Sequence, residues 1–129
     1  MAKAMTGVVL VSSASNAAGA VTRARLDCTA VDGGVIRWAM TNGGTAPTVP
    51  CTARVLVARK QASMPAAAAE GTGDDDWKEV YAQGGSGSSR ERVRGVFVFG
   101  REVAYLQIEF GGNAGQAVTV ECTGDTYTA

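Results

Sequence analysis

Apolar and polar residues alternate with a period of two along most of the chain, and turn-forming residues, above all glycine, separate many of the alternating runs. Successive side chains of a strand point to opposite faces, so such runs predict strands with one face buried and one solvated. Over 21–31, Ala24, Leu26, Cys28 and Ala30 share one face, and Arg23, Arg25, Asp27 and Thr29 the other. Ile36, Trp38 and Met40 line one face of 35–41 opposite Arg37, and Cys51, Ala53, Val55 and Val57 alternate with Thr52, Arg54, Leu56 and Ala58. Further runs cover 77–82, with Trp77, Glu79 and Tyr81 on one face, then 93–99, 103–110 and 117–122. Leu106, Ile108 and Phe110 face the core in 103–110 and leave Tyr105, Gln107 and Glu109 outward; Val118, Val120 and Cys122 face it in 117–122. The first run, 6–12 (TGVVLVS), is continuously apolar, which predicts burial on both faces, one of them against another subunit.

Between these runs lie turn signals. Asp32-Gly33-Gly34, Asn42-Gly43-Gly44 and the stretch 111–115 (GGNAG) have the chemistry of hairpin loops, because Gly, Asn and Asp tolerate positive φ. The segment 61–76 is expected to be a surface loop and 83–89 (QGGSGSS) a flexible one. Seven or eight antiparallel strands at roughly ten-residue spacing predict an all-β sandwich, a jelly roll among its forms. At 129 residues, 1–129 is expected to be one such domain.

Composition narrows the picture. Apolar residues make up 46% of the chain, but only two Trp, three Tyr and three Phe supply bulk, so a thin β-branched core is expected. Twelve basic and twelve acidic residues cancel, which speaks against a nucleic-acid or anionic-membrane partner. No segment approaches the roughly 18 apolar residues of a spanning helix. The N-terminal run lacks the length of a signal peptide, so synthesis in a cytoplasm without export is expected. Cys28, Cys51 and Cys122 lie in inward-pointing positions at spacings that match no metal site. They are read as three buried thiols, with one disulfide plus a free thiol as the alternative.

Candidate chemistry is sparse. There is no histidine, which removes the commonest general base and metal ligand. The carboxylates fall on outward faces or in turns, where solvation is the default. Asp74-Asp75-Asp76 offers oxygen ligands, but consecutive residues cannot converge on one Ca²⁺ as alternate positions do. No cofactor or metal is implied. Arg90, Arg92 and Arg94 (RERVR) have the spacing of one strand face, with three readings: a subunit contact, a solvated edge and anion recognition. Val9 and Val11 of the first run are further candidates for a subunit contact. Trp77 and Tyr81 are candidates for a glycan-stacking platform, against packing at a boundary.

The MAKAMTG start, the WKEVYAQGG strand-loop unit and the phrase GGNAGQAVTVEC resemble those of small β-sandwich virion proteins of tailed bacteriophages. The resemblance implies a non-enzymatic structural protein that assembles with itself, as a symmetric oligomer such as a trimer, and with other virion proteins. Its expected place is the virion, in the tail or fibre region, with loops 61–76 and 83–89 contacting the host surface. A capsid decoration protein and a glycan-binding sandwich module are the alternatives.

Overall fold

The alternating segments form eight strands: β1 (Ala4–Asn16), β2 (Thr22–Asp27), β3 (Gly33–Asn42), β4 (Thr52–Ala58), β5 (Lys78–Gly84), β6 (Arg92–Gly100), β7 (Tyr105–Gly111) and β8 (Val118–Thr128). The structure is a computed structural model that describes residues 4–71 and 76–129. Two four-stranded sheets result, sheet A in the order β1-β8-β3-β6 and sheet B in the order β2-β7-β4-β5, with every pairing antiparallel. This is the eight-stranded jelly roll, two sheets built from interlocked Greek keys.

The topology corrects the expectation of successive hairpins. Among the described residues, β4 and β5 are the one consecutive pair that shares a sheet; every other connection crosses from one sheet to the other. Gly33 and Gly34 are accordingly strand residues of β3, not a turn. A Cβ on Gly33 would stand 2.6 Å from the Phe99 carbonyl oxygen, and one on Gly34 would fall on the Asp125 carbonyl. The glycines allow β6 and β8 to close on the start of β3 from either side.

The core forms where the inner faces meet. Ile36, Trp38, Met40, Val120 and Cys122 of sheet A interdigitate with Val55, Leu106, Ile108 and Phe110 of sheet B. Sheet B is covered on its outer face as well. Leu56, Ala58, Trp77 and Tyr105 form a second cluster there, beneath Met64 and Ala68 of the connection between β4 and β5. The Gln107 amide grips that connection at Ala68, accepting from its backbone N–H (3.3 Å) and donating to its carbonyl (2.8 Å). Tyr105 donates to the Gln61 carbonyl (3.0 Å) and Trp77 to that of Ala66 (2.9 Å). The outward positions Tyr105 and Gln107 are thus buried by a lid, and residues 61–71 pack on their own sheet instead of standing free. Nor is the Gly/Ser segment free: Asn42 donates to the carbonyls of Ser86 and Ser88, both at 2.8 Å.

Candidate functional site

Among the described residues none forms such a lid on sheet A, whose outer face is the broad uncovered surface of the described sandwich. Four-residue rows cross it from β6 through β3 and β8 to β1. One consists of Val96, Arg37, Thr123 and Val9, and the next of Val98, Val35, Asp125 and Gly7. The middle strands carry the ion pairs Arg37–Asp125 (3.1 Å) and, reaching in from β6, Arg92–Glu121. Both are solvent-exposed, so each contributes at most ~1 kcal/mol and serves mainly to order the surface. The edges are apolar: Val96 and Val98 on β6, Met5 and Val9 on β1 are all exposed, Val98 to 72% and Val9 to 68%. A shallow hollow of about 400 Å³ opens over Ala39, walled by Arg37, Arg92, Arg94 and Glu121. Among the described residues Arg94 has no carboxylate partner.

The predicted site residues separate. Arg92 and Arg94 stand on the outer face of β6, but Arg90 precedes the strand in a left-handed turn (φ 60°), its N–H donating to the Gly43 carbonyl (2.9 Å). The stripe of three is therefore two. Val9 and Val11, both candidates for a subunit contact, lie on opposite faces. A bulge between them inserts one residue and reverses the alternation, so Val9 pairs with Thr123 on the outside while Val11 opposes Cys122 in the core, only 7% exposed. Val11 is not available to a partner.

Trp77 and Tyr81 do not form a platform. Trp77 is 1% exposed beneath the lid, on the outer face of sheet B. Tyr81 follows a second bulge, at Val80, that turns its ring inward to the rim between β5 and β6, with ring centroids 5.9 Å from Trp38 and 6.4 Å from Phe97. Beside it a cleft of about 570 Å³ is floored by Val57, Val80, Phe97 and Val103 and edged by Arg59, Asp76, Lys78 and Glu102. Its apolar floor and mixed charges suit a side chain or small apolar group; the stacked faces that hold a sugar ring are absent from its lining.

The acidic run 74–76 lies outside the described residues except for Asp76, whose carboxylate accepts from Gln61 (3.1 Å). Among the described residues no three His, Cys, Asp or Glu side chains converge on a common point. Glu109 and Glu79 are held by Arg23 and Arg54, and Asp27 by the hydroxyl and N–H of Thr29, which lower its pKa. The three cysteines are free and buried. Burial pushes their thiols up to about 12 for Cys28 and Cys122 and about 11 for Cys51, so none is a thiolate nucleophile at neutral pH. The useful signal missed at the sequence level was the absence of any charge in β1 and in the second half of β6, which marks the two edges of sheet A.

The two sheets define a jelly-roll β-sandwich with one sheet covered on its outer face and the other open. No family model matches the chain, and no curated protein does. Among solved structures it is similar to a cleaved adhesin domain of Lys-gingipain from Porphyromonas gingivalis, at TM-score 0.56 and 8% identity, over 88% of this chain and 73% of that one. It is similar also to endospore appendages of Bacillus that form disulfide-linked pili, at TM-score 0.51 and 13% identity, over 99% of this chain and 91% of that one. A third is VP2 of infectious bursal disease virus in a subviral particle, at TM-score 0.51 and 11% identity; 98% of this chain matches, but it spans only 32% of the VP2 chain. At these identities the likeness is one of fold.

Proposed function

We propose that this chain is a non-enzymatic structural subunit whose function is assembly, and that its finer role is that of a bacteriophage virion protein of the tail or fibre region. The observation that carries the reading is the asymmetry of the sandwich: one sheet sealed by a lid, the other uncovered with large apolar side chains at both its edges. Exposed apolar groups of this kind on a sheet face mark interaction sites. The chain has no histidine to serve as a general base and its thiols are buried and protonated, which supports the structural reading. The solved structures with this fold include an adhesin domain, a pilus and a viral particle, which agrees with a structural role.

Light scattering on the purified protein tests the assembly claim. A mass above that of the monomer is expected, and a strict monomer at high concentration would defeat the reading. For the virion claim, quantitative mass spectrometry of purified phage particles is expected to find the chain at the low copy number of a tail component. Hundreds of copies per particle would move it to capsid decoration, and absence from particles would remove the virion role.

A further inference from the structure

Sheet A has open edges at β1 and β6, and sheet B at β2 and β5. An open edge presents unpaired backbone donors and acceptors, and soluble proteins guard it with charges or proline. The edges of sheet B are guarded: β2 carries Arg23, Arg25 and Asp27, and β5 carries Lys78 and Glu79. Those of sheet A are bare over long stretches, Arg92 and Arg94 guarding only the start of β6. The 13 residues of β1 include no charge and no proline, and β6 is uncharged from Gly95 onward. Residues 4–9 of β1 also pair regularly with β8, the bulges coming later, so this stretch is a straight, bare edge.

The two bare edges match each other. Because β1, β8, β3 and β6 alternate in direction, β6 runs opposite to β1. A second copy shifted sideways along the rows therefore brings its β1 antiparallel to β6 of the first, with both outer faces on the same side. In that register Val96 meets Val9 of the next copy, the two ends of one row, and Val98 lies opposite Gly7 between Met5 and Val9. Gly7 leaves the space for it: the nearest atom to a Cβ built there is an Asp125 carboxylate oxygen at 3.7 Å. The same displacement applies to sheet B, where Glu79, Leu56, Gln107 and Arg25 form one row. Its ends, Glu79 of one copy and Arg25 of the next, are opposite in charge.

We infer that copies of this chain associate head to tail, β6 of one pairing with β1 of the next so that sheet A continues from subunit to subunit. This rests on the reading of the chain as an assembly subunit and specifies its contact. The contact is heterologous, joining two different surfaces, and so generates a closed ring or an open filament rather than a two-fold dimer.

Disulfide trapping on the whole chain tests it, since Val9 and Val96 are exposed and the native thiols are buried and protonated. A mixture of the Val9→Cys and Val96→Cys proteins is expected to form a cross-linked dimer under mild oxidation, while neither does so alone. The chain carrying both changes should give a ladder or a single closed ring. Cross-linking of Val96→Cys with itself would overturn the inference in favour of a two-fold contact. An oligomer by light scattering that never cross-links would overturn it while leaving the assembly function standing; a strict monomer would end both. Independently, Val98→Asp is expected to weaken association at least about tenfold with an unchanged circular dichroism spectrum, and undiminished association would count against the edge contact.

Discussion

At Asn113 one buried side-chain amide serves three partners. It accepts from Asn16 Nδ2 (2.7 Å) and donates to the carbonyls of Asn16 (3.1 Å) and Gln116 (2.9 Å), fastening the end of β1 to the connection between β7 and β8. Removing it strands several buried groups at once, so Asn113→Ala is expected to lower stability by on the order of 3 kcal/mol in urea unfolding. The cysteines give a second expectation at this scale. A thiol kept protonated in the fold and ionised in the unfolded chain binds more protons when folded, so stability falls as pH rises. That contribution is complete below about pH 8.5, the ordinary thiol value. It is lost progressively toward about 11 for Cys51 and about 12 for Cys28 and Cys122. Urea midpoints measured through the alkaline range should fall less steeply for Cys122→Ala than for the parent. Ellman's reagent should find no reactive thiol in the native protein and three after unfolding.

Among the elements, the lid over sheet B depends on Gln107, whose amide pairs with the backbone of Ala68 as a strand would. Gln107→Ala is expected to cost roughly 2 kcal/mol and to expose the Arg59–Lys60 segment to trypsin, read by the rate of cleavage there. Period-two alternation locates the strands after β1, which shows instead as a continuous apolar run, and it assigns Ile36, Trp38, Met40, Leu106, Ile108 and Phe110 to the core, because those positions follow from pleat geometry alone. It could not say which strand lies beside which. Alternation records faces and not neighbours, so the crossings between sheets were invisible and Gly33-Gly34 passed for a turn. Bulges defeated it in β1 and β5, where one inserted residue sends Val11 inward and turns Tyr81 to the rim. Trp77 and Gln107 were misplaced for another reason: a lid drawn from a distant loop buries a face whose own pattern is that of an outer surface.

For the whole molecule, the interior between the sheets is the main source of stability. Leu106 and Ile108, fully buried at its centre, should each cost ~2–5 kcal/mol when cut to Ala, measured by denaturant unfolding. The proposed assembly adds a term that the interior cannot. Since subunit binding favours the folded form by mass action, the melting temperature of the parent should rise with protein concentration, and that of Val98→Asp should not. The bare edges behind this expectation are legible as missing charge in β1 and in the second half of β6, but only the sheet order makes them edges.

The pairing of β1 with β8, which sets Ala4 beside Thr128, has a consequence for how the protein is made. Of the eight strands β1 is made before the others, its sheet neighbour β8 is made after them, and all the connections between them except that of β4 to β5 cross from sheet to sheet. At elongation rates of roughly 5–20 residues per second, β1 waits several seconds with its apolar run unpaired. Contacts this distant in sequence also form slowly once the chain is complete. During that interval the edge of β1 proposed to join subunits is accompanied by its other, equally unsatisfied edge, and nascent chains on one polysome offer each other both. Expression at low temperature or with a bound holdase should therefore raise the yield of folded protein more than any change to its surface.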